Sequence, residues 1–273
     1  GQISLVIPDE DNKFTVWSST QHPTEVQHCV ANVLGISQAK VTSKVRRLGG
    51  GFGGKESQAS IIASITALCS WYFGKPAKLR LTRHDDMLAT GKRHDFLSLY
   101  KVGFNSNGRI QGLEVNLLSR AGNVADLSGP VMTRAMTHID NCYSLKNVTI
   151  NGYCCKTNTV SNTAFRGFGG PQGIITIETI IDSIARKLTR PIEEIRNINL
   201  YSKDNGLKTP YGQIVNDSDR YNKVWDRVCE ISNLQKIKKN VEEYNLQQKE
   251  VGSPLRKGAV SYTHLTLPTI GCV

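Results

Sequence analysis

Eight consecutive residues, Gly49-Gly50-Gly51-Phe52-Gly53-Gly54-Lys55-Glu56, hold five glycines and close on a cation and an acid. Backbone without Cβ reaches φ > 0 and can approach a ligand closely. The apolar run from Ala59 to Phe73 follows at once and reads as a buried helix. A glycine loop opening into a helix aims unpaired N–H groups at one place, which suits an anion. The pattern returns as Phe165-Arg166-Gly167-Phe168-Gly169-Gly170-Pro171, again before a helical stretch. Two Phe-Gly-Gly turns, each starting a helix, predict two walls of one site. Taken singly, each also reads as a tight turn and nothing more. Residues 49–54 formally match the dinucleotide fingerprint G-x-G-x-x-G, which wants an acid at the end of the next strand. Here that strand ends in Thr82-Arg83-His84, and a dinucleotide half-site leaves the second Phe-Gly-Gly unexplained.

The elements that must position these turns follow from periodicity. Ile3 to Ile7 and Phe14 to Ser18 have strand character around the polar turn Asp9-Glu10-Asp11-Asn12. Glu25 to Leu34 is amphipathic, with Val26, Val30, Val33 and Leu34 at helical spacing and Gly35 as C-cap. Val41 to Leu48 reads as a strand running into the glycine loop. The helix after the loop is apolar nearly all round and is stopped by Gly74 and Pro76. Ala77 to Thr82 alternates like a strand. Phe96 to Phe104 and Arg109 to Leu118 flank the hairpin signal Asn105-Ser106-Asn107-Gly108. Residues 119–163 show no regular pattern. The second helix takes Pro171 in its first turn and buries Ile174, Ile177, Ile181, Ile184 and Leu188; a third starts at Pro191, with Glu193 and Glu194 at its positive end. Strands and helices without strict alternation predict an α+β fold.

The 273 residues carry a formal charge of +11, with 39% hydrophobic and 21% charged residues. The charge raises nucleic acid or a membrane surface as partner. Scattered basic residues with no aromatics among them argue for a solvated surface instead, so neither partner is expected. The seven cysteines show neither CxxC spacing nor a zinc pattern, which fits buried thiols in a reducing compartment. No signal peptide or spanning segment is read, so an intracellular, cytoplasmic location is expected, with the peroxisome as an option. Residues from about 259 to 273 continue no earlier pattern and read as a non-native tail.

Gly49 to Glu56, Arg93-His94, Tyr100 to Phe104, Asp140 to Tyr143 and the run from Asn162 to Gln172 resemble the molybdenum hydroxylases, the family of xanthine dehydrogenase and aldehyde oxidase. The resemblance holds in one register from about residue 1 to about 258. It implies the first part of an α+β molybdopterin-binding region, with a break into two subdomains expected near 120–160. In this family a molybdenum ion held by a pterin dithiolene carries oxo, sulfido and hydroxide ligands; the hydroxide attacks an electron-poor carbon and the sulfido takes hydride.

The resemblance places Gln21 beside the oxo ligand as a donor. Phe52 and Gly53 line the metal through their backbone, and Arg166 contributes backbone contacts to the cofactor. Gln21, Phe52 and Arg166 thus form the molybdenum environment. It places Phe168 against a heteroaromatic substrate, with Glu56 and Arg134 at its ring, a pair found in xanthine dehydrogenases where aldehyde oxidases carry uncharged residues. On their own, Gln21 reads as a surface amide, Glu56 as a first-turn acid, Arg134 as a surface cation and Phe168 as a core ring. The implied substrates are the purines hypoxanthine and xanthine. Aldehyde oxidase-type chemistry and a non-catalytic pterin- or nucleotide-binding module are the other readings. The glutamate general base of the family belongs to a later segment that these residues do not contain, so no catalytic base is assigned. For the full-length protein the resemblance further implies 2Fe–2S clusters, FAD, NAD as acceptor and a homodimer.

Overall fold

The structure, a computed structural model, describes residues 1–217 and 219–258. The tail read as non-native lies outside the described residues. Two compact units divide the chain, Gly1–Val215 and from Asn216 onward. In the second, α7 (Asp219–Ser232) and α8 (Leu234–Glu250) are the helices. Everything that positions the predicted site lies in the first.

Alternating apolar residues make β1 (Ile3–Asp9) and β2 (Lys13–Ser18) antiparallel partners, with Val6, Phe14 and Val16 turned inward. β3 (Val41–Lys44) runs parallel to β2, and β4 (Ala77–Arg80) antiparallel to β1, giving the order β3-β2-β1-β4. β3 stops short of the expected Leu48 because its last pair, Trp17 with Lys44, leaves β2 with only Ser18 to offer. Onto the inward face pack α1 (Pro23–Leu34) and α2 (Gln58–Phe73), burying Val26, Val30, Ala31, Ala63 and Ala67. Gly35 caps α1 in the left-handed conformation, as expected. Ala31 takes the core place expected of Val33, which is exposed.

α2 corrects the sequence reading. Ala59, Ile62, Ala63 and Ala67 are buried, but Ile61, Ile65, Leu68, Trp71, Tyr72 and Phe73 face outward. The first sheet and α1 cover only one side of this helix, and apolar composition all round does not create a second covering layer.

β5 (Phe96–Phe104) and β6 (Ile110–Gly122) form the predicted hairpin, its turn closed by Gly108 N–H to the carbonyl of Asn105 at 2.9 Å. The irregular-looking stretch after it holds α4 (Ser128–Thr137) and β7 (Val148–Lys156), the latter parallel to β6 in the order β5-β6-β7. That pairing spans the region where a subdomain break was expected. α5 (Gly170–Leu188) and α6 (Ile192–Asn199) complete the layer, with Ile177, Ile180, Ile181, Ile184 and Ile195 fully buried against Val115 and Leu117. α3 (Arg83–Ala89), capped by Thr82, links the two layers. Mixed sheets with helices on one face confirm the α+β class.

The outer face of the first sheet gathers cations from separate segments. Register lines up Lys44, Trp17, Leu5 and Lys78 across it. Arg46 and Arg47 join them around an open cleft of about 300 Å³, with Lys44 Nζ 5.3 Å from the Trp17 ring centroid. Basic residues scattered in the chain therefore do meet an aromatic ring, because strand pairing brings distant segments side by side.

Candidate functional site

The first turn spans Gly51–Gly54, closed by Gly54 N–H to the Gly51 carbonyl at 2.9 Å. Its central residues, Phe52 and Gly53, have φ of 53° and 88°. Two positive φ values in succession are the signature of a type I′ turn, which ordinarily takes Asn-Gly. A phenylalanine held there costs of order 1–3 kcal/mol and persists only where its surroundings over-determine it. Gln21, from the segment between β2 and α1, does much of that. Its Oε1 accepts Gly53 N–H at 2.8 Å and Lys55 N–H at 3.3 Å. Its own N–H donates to the Lys55 carbonyl at 2.8 Å.

Those two backbone donors decide which end of the Gln21 amide faces inward. An N–H must meet the oxygen, so the amide –NH₂ is the outward group, free to donate. Gly51 leaves the room, since a Cβ there would collide with the Gln21 side chain. Beneath the turn, buried Lys55 sends Nζ to Ser19 Oγ at 2.7 Å and to the Leu48 carbonyl at 3.0 Å. Burial pushes the Lys55 pKa below its ordinary value, with Asp86 opposing the shift.

The second turn repeats the geometry. Gly170 N–H reaches the Gly167 carbonyl at 2.9 Å, and Phe168 and Gly169 have φ of 52° and 101°. A Cβ on Gly169 would collide with the Val131 carbonyl and one on Gly173 with that of Ala135, so bare backbone lets the start of α5 dock on α4. The two turns also touch. A Cβ on Gly53 would stand 2.8 Å from the Ala164 carbonyl, and the Arg166 guanidinium lies 5.7 Å from the Phe52 ring centroid. The two walls expected from the sequence are adjacent.

The N–H groups of Gly49, Gly50, Gly51 and Phe52 in the first wall, and of Gly167 and Gly169 in the second, donate to no group among the described residues. No cluster of three or more His, Cys, Asp or Glu side chains able to hold a metal forms among the described residues. The groups that lie about the two turns are backbone N–H, the Gln21 amide and the Arg166 side chain. Such a donor set suits an anionic organic group carrying its own metal.

Docking of α5 on α4 also brings Phe168 beside Arg134. Both line an open cleft of about 620 Å³ together with Gly129, Pro130, Thr133, Thr137 and His138. Glu56 stays with the first wall, its N–H on the Gly53 carbonyl at 3.3 Å, and does not line this cleft. The sequence reading missed Thr133, Thr137 and His138. Their i, i+4 spacing, Thr133 to Thr137 and Arg134 to His138, was the available signal, hidden because α4 itself was not foreseen.

A supporting layer was missed as well. Buried His94 meets Ser128 Oγ at 2.7 Å, and Gln172 donates to the His94 carbonyl at 3.1 Å. Burial holds the His94 pKa below its ordinary value, keeping the ring neutral at pH 7.

A profile of the family described as molybdopterin cofactor-binding domain matches residues 1–200. A xanthine dehydrogenase/oxidase of Gallus gallus is 43% identical over 247 residues, 90% of this chain and 18% of that protein. A nicotinate hydroxylase of Emericella nidulans is 40% identical over 247 residues, again 90% of this chain and 18% of that protein. The chain thus spans about a fifth of the length of the curated relatives it matches. Among solved structures, the aldehyde oxidoreductase of Desulfovibrio desulfuricans is similar with a TM-score of 0.75 and 22% identity, over 89% of this chain and 26% of that one. That likeness concerns the fold.

Proposed function

We propose, from the premise that this chain belongs to the molybdopterin cofactor-binding domain family, that it forms one side of the active site of a xanthine dehydrogenase-type molybdenum hydroxylase. The observation that carries this reading is the pair of φ-matched Phe-Gly turns with unclaimed N–H groups. Gly53 and Phe52 on one wall, and Arg166 and Gly167 on the other, would hold the molybdopterin group. The outward amide of Gln21 would donate to an oxygen on it. When bound, that group supplies the redox chemistry of hydroxylation. The chain's own residues bind, orient and compensate charge.

The substrate class assigned is an electron-poor N-heteroaromatic ring, with hypoxanthine and xanthine as its purine members. Phe168 offers a ring face in the cleft. Arg134 offers a fixed positive charge where adding oxygen to the ring develops negative charge. Glu56, on the first wall, would exchange hydrogen bonds with ring nitrogens. Similarity to a nicotinate hydroxylase favours a second member of the same class, a pyridine carboxylate, for which Arg134 would anchor the carboxylate. The native full-length polypeptide tests both: purified protein is assayed for bound molybdenum and for turnover of hypoxanthine, nicotinate and an aromatic aldehyde. Purine turnover well above the other two is expected. Bound molybdenum with aldehyde turnover alone overturns the substrate class, and absence of molybdenum overturns the cofactor.

A further inference from the structure

Arg93 stands beside the second turn and takes no part in the reading above. A short parallel bridge lays it against Thr163, whose N–H donates to the Lys92 carbonyl at 2.9 Å. From there Arg93 Nη2 donates to the carbonyl of Arg166 at 2.7 Å. The Arg166 guanidinium in turn lies over the Phe52 ring. One side chain thereby joins the backbone of the second wall to the short bridge behind it, and through Arg166 to the first wall.

An arginine near a protein surface ordinarily pairs with a carboxylate or with water. Among the described residues Arg93 has no carboxylate partner. Burial, then the neighbouring Arg166 charge, hold its pKa below the ordinary arginine value. Arg93 is exposed, yet its guanidinium turns to this one carbonyl beside a like charge. That carbonyl matters because its peptide is trans, no cis peptide occurring among the described residues. In a trans peptide C=O and N–H point opposite ways. Holding the Arg166 carbonyl therefore fixes the direction of the Gly167 N–H, one of the unclaimed donors. Gly167 itself, at φ 92°, would not hold that direction unaided.

We propose that Arg93 is the positioning residue of the second wall, fixing the Arg166–Gly167 peptide so that its N–H is presented to the anionic group. This rests on the cofactor reading above, but its structural half is measurable without cofactor. Arg93→Ala and Arg93→Lys are made in the native full-length polypeptide and compared with wild type in two measurements. The first is amide hydrogen exchange of the cofactor-free protein, read at residues 165–170 and at the β5–β6 hairpin. The second is molybdenum bound per chain after reconstitution with molybdopterin.

Arg93→Ala is expected to speed exchange in the turn about tenfold while the hairpin is unchanged. Bound molybdenum should fall by a similar factor, and Arg93→Lys should recover most of both. Unchanged exchange at 165–170 overturns the proposal. Faster exchange spread equally over the hairpin also overturns it, because Arg93 would then be supporting the whole layer. Faster exchange confined to the turn with full molybdenum overturns the link to the cofactor. If wild type itself takes up no molybdenum, the cofactor reading falls, while local exchange still decides whether Arg93 positions the turn.

Discussion

Phe52 and Phe168 occupy the same left-handed backbone conformation, φ 53° and 52°, each followed by a glycine at positive φ and each closed by an i to i+3 hydrogen bond. Bulky residues adopt this region rarely, and two doing so in turns that touch is a paired strain. Around both turns lie backbone N–H groups that donate to no group among the described residues.

Closeness of the two walls depends on Gly53. Its φ of 88° is unfavourable for any residue with a Cβ, and that Cβ would stand 2.8 Å from the Ala164 carbonyl. Gly53→Ala is expected to destabilise the protein by about 1–3 kcal/mol and to separate the walls. Thermal unfolding gives the first effect and cofactor content the second. An unchanged melting temperature would show that the walls are not in contact there.

Lys55 provides a pH signature. Its folded pKa is depressed, so between that value and the ordinary one the unfolded chain carries a proton that the folded chain has released. Stability contributed by this site therefore rises with pH across that window, and the full penalty of the buried charge applies below it. In Lys55→Met the term vanishes, while Lys92, shifted in the same direction, remains in both proteins. The melting temperature of wild type relative to Lys55→Met should increase as pH is raised towards about 10.5, the ordinary lysine value. A difference that stays flat or declines would contradict the assigned burial.

Arg134 and Glu56 sit on different walls, which makes their roles separable. Arg134 lines the cleft with Phe168, so Arg134→Met in the full-length polypeptide is expected to cost about 2–4 kcal/mol of transition-state stabilisation on purines. That corresponds to a loss of roughly 30- to 1,000-fold in kcat/KM. Aromatic aldehyde oxidation should survive, and Glu56→Val should add a further loss confined to purines. Equal losses on both substrate classes would assign Arg134 to the fold or the cofactor instead.

The outward stripe of α2, Ile61, Ile65, Leu68 and Tyr72, predicts poor solubility for this chain expressed alone. Ile61→Glu with Ile65→Lys should raise its soluble yield several-fold and leave the melting temperature nearly unchanged, because neither side chain contributes to the core beneath. A large drop in melting temperature would mean the stripe is covered in the folded chain.

The parts of this architecture set by neighbours in sequence were readable from it. The β5–β6 hairpin follows from Asn105 and Gly108, the caps of α1 and α2 from Gly35 and Gly74, and the first turn of α5 from Pro171. Each rests on local backbone preference, which survives whatever the rest of the chain does. The glycine-rich turns were readable for the same reason, and the likeness to molybdenum hydroxylases was readable from the residue patterns around them.

What only tertiary structure decided is everything that depends on partners far along the chain. α4 and β7 have weak patterns of their own and exist because β6 and α5 offer them surfaces. Gln21 Oε1 is fixed by Gly53 and Lys55, Arg93 reaches the Arg166 carbonyl, and Trp17 gains its cations through strand register. α2 shows the converse, with an apolar composition that promised burial and a fold that covers one side. Composition records what a residue tolerates, whereas packing alone determines what it meets.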